Sequence, residues 1–233
     1  MLEMYQDRIR SPQLRSKVTT AEAAAEWVHG GMSGFTRAGD VKVVPLALAE
    51  RARHEQLKIT LMTGASLGHD VDKALTEAGA LARRMPFQAD PVLRAAINRG
   101  EVMYIDQHLS ELVEMLRTRQ IAPIDVAIIE AIAITETGAI IPSTSVGNSA
   151  SFAILAEKVI VEINLTQSLE PEGLHDIFIP KHRRRANAPR SSSISAWRSP
   201  TGNSSTGASC VRRGAWLVRL LTGTWAPSRA AGN

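Results

Sequence analysis

All 23 acidic residues of this 233-residue chain lie in its first 180 positions, and residues 181–233 contain none. The first part carries 17 Lys and Arg, a net charge of −6, while the second carries 10, so the formal charge of +4 conceals two unlike materials. At the acid frequency of the first part, the tail would hold roughly seven carboxylates. Its cations Arg183, Arg184, Arg185, Arg212, Arg213 and Arg219 would serve a nucleic-acid arm. Against that reading, Trp197, Trp216 and Trp225 are scattered among Ser, Gly and Pro without period or stacking-platform spacing. The composition is instead that of a shifted reading frame of a GC-rich gene, in which Arg, Ala, Gly, Pro, Ser and Trp accumulate and Asp and Glu vanish. Two regions are therefore expected: residues 1–180 as a folded domain, and residues 181–233 as a basic, acid-free tail, irregular or disordered and without a selected fold.

With 44% hydrophobic and 21% charged residues, the chain has the composition of a soluble globular protein. No stretch approaches the roughly 18 uninterrupted apolar residues of a bilayer-spanning helix. Glu3 and Asp7 sit among Arg8, Arg10 and Arg15, unlike a leader peptide, so a cytoplasmic location is expected. The lone cysteine, Cys210, rules out an intramolecular disulfide and a Cys-based metal cluster. The six histidines, at 29, 54, 69, 108, 175 and 182, show no i, i+4 or H-x-H pairing, and no metal site is expected.

Along residues 1–180 the pattern alternates between helical and strand periods. Thr19-Thr20-Ala21-Glu22 has capping-box spacing, with Thr19 as N-cap, and Ala21, Ala24, Ala25 and Val28 continue as a helical apolar stripe. A glycine-rich turn over residues 30–40 leads into a helix over 41–54, where Pro45 suits the first turn. Residues 58–63 read as a strand ended by Gly64, and helical spacing resumes over 72–83 through Leu75, Ala78 and Leu81. A strand over 102–105 precedes a helix over 107–119 capped by Asp106. Val126-Ala127-Ile128-Ile129 is the unbroken apolar run of a strand buried on both faces. Ala133-Ile134-Thr135 and Ala139-Ile140-Ile141 flank a turn and predict a hairpin, followed by a helix over 149–157 and a strand over 158–163. The fold class expected is α/β, three-layer α/β/α, with a mostly parallel mixed sheet.

In such sheets ligands gather at the carboxyl ends of strands, where loops meet helix N-termini. Three loops qualify: residues 34–40, Gly64-Ala65-Ser66, and residues 143–149. None has a Walker lysine in register or spells G-x-G-x-x-G, which argues against a nucleotide-phosphate cradle. Ser66 and Ser145 lack a nucleophile elbow and a paired histidine, which argues against serine-hydrolase chemistry. Glu130, placed at a strand end, reads as a paired structural carboxylate, with acid or base work as the alternative. His108, in a helix's first turn, reads as a local hydrogen-bonding residue.

Read in order, Gly34-Phe35-Thr36-Arg37-Ala38-Gly39-Asp40, Thr63-Gly64-Ala65-Ser66, Arg84-Met85-Pro86-Phe87-Gln88 and Ile105-Asp106-Gln107-His108-Leu109-Ser110 resemble the acetyl-CoA hydrolase/transferase family. Ala133-Ile134-Thr135-Glu136, Pro142-Ser143-Thr144-Ser145-Val146-Gly147-Asn148-Ser149, the run from Ala156 through Asn164, and Glu172-Gly173-Leu174-His175-Asp176 resemble its succinyl-CoA:carboxylate CoA-transferase branch. The likeness covers about residues 1–180. It implies one half, the first, of a two-domain class I CoA-transferase of the NagB/RpiA/CoA-transferase-like fold, whose members are roughly twice this length.

The chemistry implied is covalent: a glutamate attacks the acyl-CoA thioester, becomes an acyl-glutamyl anhydride, then a glutamyl-CoA thioester, and passes CoA to an incoming carboxylate. The family's nucleophilic glutamate lies in the second half, so no catalytic residue is assigned here, and the chain as given is expected to be truncated and inactive. Implied pocket walls are Gly34, Phe35 and Gly39 of the glycine-rich loop, Ser66 and Gln88 as polar contacts to the small acyl or carboxylate group, and Val146, Gly147 and Asn148. Coenzyme A enters as substrate, with no further cofactor. The partners implied are acyl-CoA and small carboxylates such as acetate, propionate and succinate; a homo-oligomer is compatible with this, and no membrane is involved. The alternatives are a non-catalytic binding or assembly module, and a nucleic-acid binder acting through the tail.

Overall fold

A computed structural model describes residues 5–29, 31–32, 39–65, 67, 69–174, 177 and 216–221. The chain forms α1 (Pro12–Arg15), α2 (Ala21–Ala25), β1 (Gly31–Met32), α3 (Val44–Glu55), β2 (Ile59–Met62), α4 (His69–Glu77), β3 (Leu81–Met85), α5 (Pro91–Asn98), β4 (Met103–Tyr104) and α6 (Leu109–Arg117). β5 (Val126–Ile134), β6 (Ile140–Pro142), α7 (Ser149–Leu155), β7 (Lys158–Asn164) and β8 (Trp216–Leu221) follow. One sheet has the order β1-β2-β3-β4, all parallel; the other has the order β6-β5-β7-β8, with only the β5–β6 pair antiparallel. β1 lies against β5.

The layers follow from side-chain alternation along the central strands. Ala127, Ile129, Ala131, Val159, Val161 and Ile163 point into a core with Leu112, Val113 and Leu116 of α6 and Phe152 and Ala153 of α7. Val126, Ile128 and Ile160 point the other way, toward Ala24 of α2, Leu48 and Ala52 of α3, Leu75 of α4 and Leu93 of α5. Helices thus cover both faces of a mixed sheet, as the continuous apolar runs require. The predicted hairpin is present, with Ala133 opposite Ile141 and Ile134 opposite Ile140, but its first arm and the 126–129 run are one nine-residue strand.

Several local expectations need correction. The helix read over 72–83 stops at Glu77, and Leu81–Met85 is instead a parallel strand between β2 and β4. Leu75, Ala78 and Leu81 keep a helical period across the break, but Gly79 adopts φ +64°, a conformation glycine enters without steric cost. The cap of α2 is Thr20, whose hydroxyl accepts from the Ala23 amide at 3.2 Å, not Thr19. α6 begins at Leu109 after an N-cap at His108, so Asp106 does not cap it and His108 precedes the first turn. α5 was not anticipated, although Asp90-Pro91 is a start signal, and the Asp90 carboxylate accepts from the Leu93 amide at 2.9 Å. Of the acid-free tail, residues 216–221 are described; their backbone pairs with β7, Val159 opposite Trp216 through Asn164 opposite Leu221.

Beneath the β2–β3 loops lies a buried ion pair. Arg84 of β3 and Asp72 of α4 are both inaccessible, with Arg84 Nε 3.2 Å from Asp72 Oδ1. Arg84 Nη1 also donates to Thr63 Oγ1 at 2.9 Å and to the Met85 carbonyl at 2.8 Å, tying the ends of β2 and β3 together. Burial pushes the Asp72 carboxyl above its ordinary value despite the opposing pull of Arg84. Arg84→Met leaves that carboxyl buried without its counter-charge, and urea unfolding should show a loss of about 3–5 kcal/mol, largely recovered by adding Asp72→Leu.

Candidate functional site

Five loops meet at one edge of the fold, each fastened to a neighbour. Gly39 is packed so closely on the loop after β6 that a Cβ there would meet Ser145 Cβ at 2.8 Å, Ser143 Oγ at 2.9 Å and the Ser145 amide nitrogen at 2.9 Å. Asn148 Nδ2 donates to the Leu109 carbonyl at 3.3 Å, joining that loop to the one after β4. The Tyr104 hydroxyl donates to the Pro86 carbonyl at 3.1 Å, and the Ile105 amide donates to the Arg84 carbonyl at 3.1 Å, joining the loop after β4 to the loop after β3. The Thr63 amide donates to the Met85 carbonyl at 3.1 Å, and its hydroxyl donates to the Ala65 carbonyl, which sets the loop after β2 alongside.

Of the implied pocket residues, the structure therefore links Gly39 with the loop bearing Val146, Gly147 and Asn148, and links that loop in turn to the neighbours of Gln88. Gln88 is half-buried, and its Oε1 is shielded from solvent without a hydrogen-bond partner. Val146 lines an apolar depression with Ile129, Ile140, Pro142 and Ile177. Gly34, Phe35 and Ser66 lie outside the described residues, as do His175 and Asp176.

The glycine-rich loop is anchored from below by charges that sequence reasoning largely missed. Glu130 of β5 and Glu162 of β7 are register partners, both buried, and point to the α3 side of the sheet. Lys42 Nζ donates to Glu130 Oε2 at 2.6 Å and to the Asp40 carbonyl at 2.5 Å, and lies 3.1 Å from Asp40 Oδ1. Burial works against the Lys42 ammonium, but Glu130 and Asp40 outweigh it and hold its pKa above the ordinary lysine value. Glu162 accepts from the amides of Lys42 at 2.8 Å, Val43 at 3.2 Å and Val44 at 2.7 Å, so a carboxylate from the sheet caps α3. Its burial, with Glu130 adding a like charge, pushes the Glu162 carboxyl upward against those three amides.

Glu130 is thus the paired structural carboxylate expected, although it sits within β5 and not at its end. Among the described residues, no group of three or more His, Cys, Asp or Glu is placed to hold a metal ion, and no helix is long and apolar enough to cross a membrane. Chemically, the edge offers backbone amides and two amide side chains, Gln88 and Asn148, on loops whose carboxylate anchors are already committed to Lys42 and to α3.

An α/β chain with loops converging in this way is of the CoA-transferase fold: RipA of Yersinia pestis superposes with a TM-score of 0.53 at 20% identity, over 64% of this chain and 37% of that one. Glutaconate coenzyme A-transferase of Acidaminococcus fermentans gives 0.50 at 16% identity, over 63% and 66%. Residues 3–194 match the acetyl-CoA hydrolase/transferase N-terminal domain, and the chain belongs to that family. It is 47% identical over 184 residues to the succinyl-CoA:acetate CoA-transferase of Clostridium kluyveri, covering 76% of this chain and 34% of that protein. To the propanoyl-CoA:succinate CoA transferase of Escherichia coli it is 39% identical over 181 residues, covering 74% and 37%. The chain thus spans little more than a third of the length of these relatives.

Two substitutions test the anchoring. Gly39→Ala drives a methyl into Ser143 and Ser145, and chemical denaturation should show a loss of about 1–3 kcal/mol. Glu162 has a folded-state pKa above its ordinary 4.5, so the folded form holds this proton more tightly than the unfolded one. Its contribution therefore becomes more favourable as pH falls from above the folded value toward the ordinary carboxylate range. Glu162→Gln removes that dependence: the unfolding free energy of the wild type relative to the variant should rise as the pH is lowered from above the folded value toward 4.5.

Proposed function

We propose that this chain forms the CoA-facing wall of an enzyme that moves CoA between small carboxylic acids such as acetate, propionate and succinate. The observation that carries the reading is the packing of Gly39 on the 143–148 loop, and the link from that loop to the segment after β4, in a chain of the acetyl-CoA hydrolase/transferase family. Its relatives include proteins named for succinyl-CoA:acetate and propanoyl-CoA:succinate exchange, and others named acetyl-CoA hydrolase.

In this reading a glutamate from a second half attacks the thioester carbonyl and expels the CoA thiolate, leaving an acyl-glutamyl anhydride. The thiolate then attacks the glutamyl carbonyl and releases the acyl group as a carboxylate. An incoming carboxylate takes the glutamyl-CoA thioester through the same steps in reverse, and hydrolysis results when water replaces it. Each addition places negative charge on a tetrahedral oxygen, which backbone amides of the converging loops are suited to stabilise away from water. The nucleophile is not one of the buried carboxylates here, since Glu130 is tied to Lys42 and Glu162 to the α3 amides. CoA serves as substrate and no other cofactor takes part. The setting proposed is the cytoplasm, and self-association is compatible with the scheme.

Titrating CoA into the purified chain should raise its melting temperature, with a stabilisation of about 2.7 kcal/mol at a hundredfold excess over Kd. No shift at any concentration overturns the reading. Exchange of labelled acetate with succinyl-CoA by the 233-residue chain alone would refute the placement of the nucleophile in a second half.

A further inference from the structure

Arg84 and Asp72 are wholly buried, and an ion pair at 3.2 Å is a costly way to fill a core. The penalty for taking two charges out of water commonly cancels their attraction, and apolar side chains of similar volume hold a fold as well or better. What this pair does that apolar residues cannot is visible in its further hydrogen bonds, which reach the loops of the functional edge. Arg84 Nη1 donates to Thr63 Oγ1 at 2.9 Å, at the start of the loop after β2, and to the Met85 carbonyl at 2.8 Å, where β3 gives way to its loop. The Asp72 carboxylate accepts from the Leu67 backbone amide, at the far end of the loop after β2.

Both ends of one loop and the root of the next are thereby held from a single buried point. Thr63 passes the constraint on: its hydroxyl, the acceptor for Arg84, donates to the Ala65 carbonyl, and its amide donates to the Met85 carbonyl at 3.1 Å. The backbone of Arg84 serves a third loop, since its carbonyl accepts from the Ile105 amide at 3.1 Å, at the root of the loop after β4. A guanidinium suits this task because its donors sit in a rigid planar fork, so fixing one fixes the direction of the others. Thr63 and Asp72 are as closed to solvent as Arg84, so water does not compete for these bonds.

We propose that Arg84 is a positioning residue for CoA binding: with Asp72 it fixes the loops after β2 and β3 in the geometry that receives the thioester. This rests on the CoA reading above. Without the pair the fold persists while the two loops sample other arrangements, and affinity falls by the fraction of time they spend in the competent one.

The test uses the full chain carrying Arg84→Met together with Asp72→Leu, in which both charges leave at once and the melting temperature should stay close to that of the wild type. Calorimetric titration with CoA should show about tenfold weaker binding, the result if the loops hold the competent geometry for about a tenth of the time. Amide exchange in the ligand-free double variant should be faster over residues 63–67 and 85–88 and unchanged in β5 and β7. Thr63→Val and Thr63→Ser give a second measure that leaves the ion pair in place. Valine keeps the shape without the hydroxyl and should weaken CoA in the same direction; serine keeps the hydroxyl and should bind as the wild type does. Wild-type affinity in both the double variant and Thr63→Val overturns the proposal and leaves the CoA reading standing. Weaker binding without faster exchange in the two loops also overturns it, since the loss then runs by another route. A double variant that melts too low to titrate leaves the decision to the threonine pair, where equal affinity for the valine and serine variants overturns the proposal. Failure of the wild type to bind CoA overturns it together with the reading beneath.

Discussion

Two carboxylates buried side by side in the middle of a sheet set the terms for the rest of this structure. Glu130 and Glu162 occupy register partners on β5 and β7, strands with cores on both faces, so water cannot solvate them. A buried charge is tolerated only when paired and hydrogen-bonded. Both solutions come from one short stretch of chain: the Lys42 ammonium answers Glu130, and the amides of residues 42–44, at the start of α3, answer Glu162. Removing either partner leaves an uncompensated charge in the core, which is why the backbone from Asp40 to Val44 is fixed in place.

That constraint reaches the functional edge because residues 40–44 directly follow the glycine-rich loop. With Asp40 held by Lys42, Gly39 is pressed against Ser143 and Ser145, and the loop after β6 is fastened in turn to Leu109 through Asn148. On the other side, Arg84 and Thr63 tie the ends of β2 and β3 through a second buried ion pair. Loops built over such anchors keep their backbone amides oriented before a ligand arrives, the preorganisation that stabilising a developing oxyanion requires. The carboxylates of Glu130 and Glu162 are spent on holding these loops in place.

Much of the architecture was legible because it is written in local pattern. The apolar run of β5 announced a strand buried on both faces, the pattern over 158–163 announced β7, and the short arms around Thr137-Gly138 announced the hairpin. The loops that carry family resemblance are those the structure gathers, as far as Gly39, Gln88, Val146, Gly147 and Asn148 are described. What escaped has physical causes. Leu81–Met85 escaped because its apolar residues continue the phase of α4 across Gly79. The cap of α3 escaped because Val43 stands at its N-cap and the capping carboxylate arrives from a residue 119 positions away. Lys42 carries no signal in the sequence, and only the pairing of β5 with β7 shows what it must neutralise.

The most direct measurement is amide hydrogen exchange on the full chain with and without CoA, read peptide by peptide. If the anchored loops form the wall of a thioester site, CoA should slow exchange at residues 39–44, 86–88, 105–109 and 143–148 while the outward faces of α4 and α5 stay unchanged. Protection confined to other parts of the chain, or none at saturating CoA, would contradict it.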